Sequence, residues 1–192
     1  MSTPTAERIA TAAREILAAE GTAAVTMRRV AEATGITPMA IYRHYDNREV
    51  LLRAVATTAA RELAEVWREP APNEDWAARF DLLQDRFLDF AVGQPHLYRF
   101  LMTDDWAQAR RFPGDFRDHG GPPLAELVRL VEEGMRTGVL REDDPLEVAL
   151  TVSTQTQGMV LLYLSGRIET SEVDFRAMCH RSAWRIFDGL NA

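Results

Sequence analysis

The chain has no lysine, a single cysteine and no long apolar segment. The one cysteine, Cys179, excludes a disulfide within the chain and a metal site built from several cysteines, which fits a reducing compartment. No apolar run approaches the roughly 20 residues that span a bilayer, and residues 1–4 lack the basic and apolar layout of a secretory signal. We therefore expect a cytoplasmic protein. All 22 basic residues are arginine, which together with abundant alanine indicates GC-rich coding and has no functional weight.

The charge of the chain is unevenly distributed. With 46% hydrophobic residues among 192, the chain can bury a core without metals or disulfides. Its net charge of -7, taken alone, argues against a nucleic-acid partner, because phosphates are neutralised by clustered cations. Residues 1–68, however, hold nine arginines and eight acids, and residues 26–53 hold five arginines and three acids. The N-terminal part is thus locally cationic beside an acidic remainder, which predicts different partners for the two parts.

The hydrophobic pattern predicts an all-α fold with about nine helices. Apolar residues recur at helical spacing throughout, and no stretch with period-two alternation requires a sheet. Thr3 is a predicted cap with Pro4 at the first helical position, and Thr26, Thr37, Asp144 and Ser171 are further predicted caps. Residues 103–121 are the least regular and are predicted to form a loop. The predicted helices cover residues 4–20, 27–34, 38–45, 48–68, 74–93, 95–102, 122–138, 145–165 and 172–190.

Two short helices near the N-terminus have the layout of a helix-turn-helix. Residues 27–34 and 38–45 are separated by Gly35-Ile36, and a longer helix precedes them. By spacing alone, this pattern also fits a plain structural hairpin. Residue identity favours the first interpretation. The segment 25–52, VTMRRVAEATGITPMAIYRHYDNREVLL, closely resembles the DNA-binding signature of the TetR (tetracycline repressor) family of bacterial transcriptional regulators.

The resemblance covers about the first 55 residues; beyond them only length, helix count and loop placement are similar. The matching positions are Thr26, Val30-Ala31, Gly35, Ile41-Tyr42, His44-Tyr45, Arg48-Glu49 and Leu51. The family usually has lysine at position 48, so charge is retained there while the contact geometry changes. The resemblance implies an N-terminal three-helix DNA-binding domain, 1–48, followed by a helical effector-binding and dimerisation domain, 49–192.

Ten residues are predicted to contact DNA. The resemblance assigns phosphate contacts to Thr26, Tyr42, His44 and Arg48, which set the register without reading sequence. Arg28 is the predicted reader of a guanine edge, and the exposed front of the second short helix is predicted to read further bases. A merely solvated helix face is the alternative for these readers. The front of that helix comprises Thr37, Pro38, Met39, Ala40 and Arg43.

The second part of the chain is rich in aromatic residues. These residues either line a cavity or fill a core, and the resemblance adds the expectation of an inducer site for an apolar or aromatic molecule. Two amides inside an otherwise apolar helix need partners, which a ligand or a neighbouring helix would supply. The predicted effector-binding residues are Phe80, Phe87, Phe90, Tyr98, Phe100, Met102, Trp106, Met135, Gln155, Gln157 and Met159.

The last two helices are predicted to form a homodimer interface. The resemblance places residues 145–165 and 172–190 in a four-helix bundle across a two-fold axis, and we expect the interface to be completed by Trp184, Ile186, Phe187 and Leu190. A helix that is fully buried within a monomer is the alternative. The predicted function is therefore a ligand-responsive regulator, foremost a repressor, that binds a palindromic operator as a homodimer. A DNA-binding regulator controlled by protein partners without a small ligand is the alternative. Motifs for catalysis, cofactor binding or a metal are missing from the sequence, so we predict no enzyme and no cofactor.

Overall fold

The regular structure is helical, as the sequence predicts. The computed structural model describes residues 4–68, 75–103 and 122–189, and in these residues it contains nine α-helices and a short 3-10 helix at Thr22–Ala24. The all-α prediction is confirmed. None of the described helices is both long and apolar enough to cross a bilayer. The α-helices are α1 Thr5–Glu20, α2 Met27–Thr34, α3 Pro38–Tyr42, α4 Arg48–Arg68, α5 Trp76–Gly93, α6 Pro95–Thr103, α7 Pro122–Thr137, α8 Pro145–Leu164 and α9 Glu172–Asp188.

Four helices begin at the capping residues predicted from the sequence. The hydroxyl of Thr26 accepts the N–H of Arg29 at 3.2 Å, and that of Thr37 accepts the N–H of Ala40 at 3.2 Å. Asp144 caps α8 through two backbone N–H groups, and Ser171 caps α9. These side chains pair donors that a helix start otherwise leaves unsatisfied.

Two predicted helix ends are corrected by the structure. Pro4 is the N-cap of α1 with an extended ψ of 142°, so the helix begins at Thr5; the predicted cap Thr3 lies outside the described residues. α3 ends at Tyr42 and not near residue 45. Beyond it, the carbonyl of Ile41 accepts the N–H groups of both His44 and Tyr45, at 2.9 and 3.0 Å, in a last turn. Of the predicted loop 103–121, Thr103 is instead the last residue of α6, and residues 104–121 lie outside the described residues.

The chain divides into two compact units. The described residues of the first are 4–62 and 94–103. Within it α1 packs against α2 and α6, and α2 packs against α3. Fully buried residues come from each of these helices, among them Ile9, Leu17, Val30, Ile41 and Phe100. At the end of α1, Gly21 has a φ of 85°, and a Cβ there would lie 3.2 Å from Nδ1 of His96 on α6.

The second unit has an aromatic core. Its described residues are 63–68, 75–93 and 122–189, and in it α5 packs against α7, α8 and α9. The rings of Trp76 and Phe80 are stacked at 6.1 Å, and the ring of Phe187 lies 5.1 and 4.8 Å from them. The indole N–H of Trp76 donates to the carbonyl of Leu130 at 2.7 Å. A Cβ at Gly134 would lie only 2.8 Å from that nitrogen, so the glycine lets α7 approach α5 closely.

Candidate functional site

The helix-turn-helix predicted from the sequence is present in the first unit. Residues 35–37 join α2 to α3, and the two helices pack together. Gly35 ends α2 with a φ of 69°, in the left-handed region that favours glycine. Its N–H donates to the carbonyl of Glu32 at 3.2 Å, and the N–H of Ile36 donates to that of Ala31 at 3.1 Å. These bonds close the end of α2 and fix the direction in which α3 leaves.

The predicted DNA-contacting residues lie on the surface. Ile41 is fully buried and anchors α3, whereas Met39 and Tyr42 on either side are 69% and 46% exposed. Half-buried Ala40 is the exception among the ten. The nine exposed residues are Thr26, Arg28, Thr37, Pro38, Met39, Tyr42, Arg43, His44 and Arg48.

The capping threonines keep a donor for a further partner. In Thr26 and Thr37 the hydroxyl oxygen accepts a backbone N–H, which leaves the hydroxyl hydrogen free to donate. A phosphate oxygen is an acceptor of the kind that such a hydrogen pairs with. The same side chain thus caps its helix and presents a donor at an exposed position.

Arginines around the helix-turn-helix differ in their partners. Within the described residues, the guanidinium groups of Arg28 and Arg43 make no ion pair or hydrogen bond. Arg29, in contrast, pairs with Glu20, and the hydrogen bond that its guanidinium donates to that carboxylate raises the pKa of Arg29. Arg53 pairs with Glu49 one turn away on α4. Among the described residues, Arg28 and Arg43 are therefore the arginines of this surface whose guanidinium groups pair with neither a carboxylate nor a carbonyl.

Arg48 has a structural contact that the sequence did not reveal. Its Nε donates to the carbonyl of Val25 at 2.6 Å, and its Nη2 donates to that of Thr22 at 2.5 Å. These bonds join the first turn of α4 to the segment that precedes α2. A guanidinium carries five N–H donors, so three remain for a phosphate. The acceptors are backbone carbonyls, so no residue type signalled this contact.

Two further side chains brace the helix-turn-helix. The hydroxyl of Tyr45 donates to the carbonyl of Ala6 on α1 at 3.0 Å, and burial raises the pKa of Tyr45. Arg8 on α1 donates to the carbonyl of Thr34, the last residue of α2, at 3.1 Å. Both contacts hold α1 against the two short helices. Tyr45 was part of the sequence motif, but its acceptor was not predictable from the motif.

The predicted effector-binding residues are divided between the two units. Tyr98, Phe100 and Met102 lie on α6 in the first unit, and the other described members lie in the second. Trp106 lies outside the described residues. Burial raises the pKa of Tyr98 to about 12. The buried members are Phe80, Phe90, Tyr98 and Phe100, and the partly buried ones are Phe87, Met102, Met135, Gln155, Gln157 and Met159.

Two of the predicted effector-binding residues, Phe80 and Phe90, pack against other aromatic rings. Phe80 packs against Trp76, Phe187 and Trp184, the last at 5.5 Å. Phe90 packs edge-on against Trp67 at 5.9 Å. For Phe80 these contacts favour the alternative that it fills a core.

The two amides singled out in the sequence are paired within their own helix. Nε2 of Gln155 lies 2.6 Å from the sulfur of Met159, and Nε2 of Gln157 donates to the Ser153 hydroxyl at 2.9 Å. The expectation that they need a ligand or another helix is corrected accordingly. A different glutamine, Gln84 on α5, is 94% buried, and neither its Nε2 nor its Oε1 has a partner among the described residues. Its place among the apolar residues of α5 was the sequence signal that we missed.

An open cleft of about 400 Å3 lies between α5 and α9. Beside it, His180 faces two carboxylates: Nδ1 lies 3.1 Å from Asp81 and Nε2 lies 2.8 Å from Asp85. The indole of Trp184 donates to Asp81 at 2.8 Å. This polar network joins the two helices and includes none of the predicted effector-binding residues. The cleft is lined by Asp81, His180, Arg181, Trp184, Arg185 and Asp188.

The described residues contain no cluster of three or more His, Cys, Asp or Glu side chains that is placed to hold a metal ion. The single cysteine, Cys179, is buried in α9, and burial raises the pKa of its thiol to about 11. Since the thiolate is the reactive form, this cysteine is a packing residue.

One face of α8 is exposed and combines small with apolar residues. Leu161 and Leu162 are 40% and 41% exposed, and Val173 at the start of α9 is 76% exposed. The predicted dimer contact Phe187 is corrected: its side chain is fully buried within the chain, because it closes the aromatic cluster. Leu190 lies outside the described residues.

Comparisons with known proteins cover both parts of the chain. Residues 9–55 match the family model described as bacterial regulatory proteins, tetR family, and residues 82–183 match tetracyclin repressor-like, C-terminal domain. The HTH-type transcriptional repressor AcnR of Corynebacterium glutamicum is 30% identical over 162 residues, which make up 83% of this chain and 82% of that relative.

Solved structures share the fold over nearly the whole length. A protein of unknown function from Rhodococcus sp. RHA1 superposes with a TM-score of 0.79 at 21% identity, over 100% of this chain and 97% of that one. FadR of Bacillus subtilis, solved in complex with stearoyl-CoA, superposes with a TM-score of 0.67 at 16% identity, over 96% and 99%. At this identity the likeness concerns the fold. The two family models and the identity with AcnR show that the chain belongs to the TetR family of bacterial transcriptional regulators.

Proposed function

We propose that this regulator is a repressor that binds a two-fold symmetric operator as a homodimer and is released by a small-molecule effector. The observation that carries the DNA-binding part is the pair Arg28 and Arg43, which are exposed and unneutralised in the described residues at a helix-turn-helix. Cations without intramolecular partners are the groups that phosphates and guanine edges attract. The name of the relative AcnR, a repressor, supports the direction of the output.

The exposed face of α8 supports the homodimer. The hydroxyls of Thr151 and Thr154 donate to carbonyls of their own helix, at 2.9 and 2.7 Å. Burying this face against a second copy therefore leaves no threonine hydroxyl unpaired. Leu161 and Leu162 add exposed apolar surface to the same face. Burial of that surface against a second copy would stabilise a dimer.

The effector part has support from a structural neighbour. The FadR structure with stearoyl-CoA shows that this fold accommodates a ligand with a long apolar chain. In a released repressor, the effector binds the DNA-incompetent state more tightly, and by linkage DNA weakens effector binding by the same factor.

An electrophoretic mobility shift with the chain's own upstream DNA tests the proposal. We expect a specific shift, a preference at one base pair per half-site that Arg28→Ala relaxes by about 1–3 kcal/mol, and a weaker dependence on salt for Arg48→Ala, which removes a predicted phosphate contact. Arg61→Ala on α4 is the matched control, because Arg61 is exposed and lies outside the helix-turn-helix. No specific shift, or equal losses for Arg28→Ala and Arg61→Ala, contradicts the proposal.

A further inference from the structure

Gln84 is an exception among the buried side chains of the described residues. Apart from aromatic residues and Cys179, only two polar side chains are buried there, Gln84 and Thr156. The Thr156 hydroxyl lies 3.4 Å from Oε1 of Gln155, whereas neither polar atom of Gln84 has a partner among the described residues. The same unit buries a second unpaired donor, the indole N–H of Trp67. Buried polar groups in proteins are nearly always hydrogen-bonded, so each exception asks for an explanation.

No described side chain or main-chain group is a hydrogen-bond partner of this glutamine. A buried amide without partners destabilises the folded state, and leucine or methionine would fill a similar volume without that cost. The flanking residues on the same face of α5 are apolar and buried: Phe80 one turn before and Leu88 one turn after are 2% and 0% exposed. A partner that arrives from outside the chain satisfies the amide and accounts for its presence.

The surroundings define the chemistry of that partner. A side-chain amide offers N–H donors and a carbonyl acceptor side by side, so a complementary group has an acceptor next to a donor. Among the described residues, no charged side chain is buried that would balance a ligand charge. A buried charge without a partner is costly, so the complementary group is neutral.

We propose that Gln84 is the polar anchor of the effector site and that the effector carries an uncharged amide-like group, such as a primary amide, lactam or imide, on an apolar body. A carboxylate offers acceptors alone, which leaves Oε1 of Gln84 unpaired. The inference rests on the proposed effector response and specifies its chemistry. It replaces Gln155 and Gln157 as anchors, because their amides are already paired within α8.

Benzamide is a suitable probe, with benzoate and toluene as matched compounds that lack the neutral donor–acceptor pair. The chain has five glutamines, so labelling with 15N-glutamine gives few side-chain amide signals, and Gln84→Leu assigns that of Gln84. We expect benzamide to shift the Gln84 signal. Benzoate and toluene are expected to bind at least tenfold more weakly. Gln84→Leu should weaken benzamide binding at least tenfold, whereas Gln157→Leu should leave it unchanged.

The variants also report on folding. Gln84→Leu should melt at or above the temperature of the unchanged protein, since it removes an unpaired buried amide. Gln84→Met, which is flexible and apolar, serves as the second variant if the branched leucine does not fit. No binding of benzamide to the unchanged protein, equal binding by both apolar variants, or equally tight binding of benzoate overturns the inference.

Failure of this inference is distinguishable from failure of the proposed function. Gln84→Leu should shift the operator as the unchanged protein does, because α5 belongs to the second unit and the helix-turn-helix to the first. Loss of operator binding by the unchanged protein contradicts the proposed function, while the benzamide titration still decides the role of Gln84.

Discussion

The arginines in and around the helix-turn-helix differ in the hydrogen-bond partners of their guanidinium groups. Arg29 is neutralised by Glu20, Arg48 holds two carbonyls, and Arg28 and Arg43 have no partner among the described residues. A lysine at position 48 would keep the charge but is a point donor, whereas the planar guanidinium spans two acceptors. Because arginine stands at position 48 in place of the family's usual lysine, two hydrogen bonds link the first turn of α4 to the segment before α2.

Arg48→Ala is predicted to weaken both folding and DNA binding. The two hydrogen bonds from a charged donor are lost at an exposed position, so we expect the free energy of unfolding to fall by about 1 kcal/mol. Arg48→Lys should recover part of this loss through one carbonyl. Arg43→Ala is the control, since it removes an equal charge and should weaken DNA binding with little change in stability. Urea unfolding measures the stability of each variant, and mobility shifts measure its DNA binding. Equal stability of Arg48→Ala and Arg43→Ala would show that the hydrogen bonds of Arg48 do not stabilise the fold.

At the scale of single residues, the sequence predicted the features that depend on neighbouring positions in the chain. The motif predicted the exposed residues of α2 and α3 because helical spacing places them on one side. The acceptors of Arg48 and Tyr45 are main-chain carbonyls from distant positions, so no residue type marks them. The unpaired amide of Gln84 emerges only when burial and partners are known together.

At the scale of elements, caps predicted helix starts better than periodicity predicted helix ends. Thr26, Thr37 and Ser171 mark starts that the structure reproduces, because a cap is a local hydrogen bond. Beyond the end of α3 the carbonyl of Ile41 accepts the N–H groups of His44 and Tyr45, a backbone arrangement that helical spacing in the sequence does not indicate. α6 packs against α1 in the first compact unit, although it lies far from α1 in the sequence, so the predicted domain boundary at residue 48 did not indicate this contact. The functional boundary at residue 48 stays a prediction.

The contact between α5 and α7 is predicted to depend on pH. Arg79 donates to both oxygens of Glu133, at 2.6 and 2.8 Å, and this hydrogen bonding holds the pKa of Glu133 below its usual value of 4.5. A lowered pKa means that the pair stabilises the fold above the unfolded value and that this stabilisation is lost as pH falls through the folded one. Since both side chains are 34% exposed, Arg79→Met should cost only about 0.2–1 kcal/mol near neutral pH.

Urea unfolding of both proteins over a pH series checks this prediction. The difference between them should shrink as the pH falls below the usual pKa of a glutamate carboxyl, because Glu133 then becomes protonated in the folded state as well. Glu133→Gln is the matched control, because it removes the charge and keeps the shape. A difference that is constant with pH would mean that Arg79 stabilises the contact through its apolar stem.

At the scale of the whole molecule, DNA binding and self-association are expected to be coupled. A helix-turn-helix protein reads two half-sites about 34–36 Å apart only as a dimer, so one subunit alone forfeits half of the contacts. The cationic stretch 26–53 and the acidic remainder suit this arrangement, because the remainder repels DNA and leaves the N-terminal surface as the attractive one.

Leu161→Glu is predicted to separate the subunits and weaken operator binding together. Leu161 is 40% exposed on the face of α8 proposed as the interface, so a charge there is buried without a partner when two copies meet. It is a cleaner probe than Trp184, whose indole donates to Asp81 and packs in the core of its own subunit. Val139→Glu is the control, because Val139 is 42% exposed and lies in the turn after α7.

Light scattering gives the mass of each variant, and mobility shifts give its affinity for the operator. We expect twice 21.6 kDa for the unchanged protein and for Val139→Glu, and a shift towards 21.6 kDa with weakened operator binding for Leu161→Glu. The weakening should diminish as protein concentration rises, since mass action restores the dimer. A monomeric unchanged protein with full operator affinity would contradict the dimer, and a dimeric Leu161→Glu would place the interface on a face other than the one that carries Leu161.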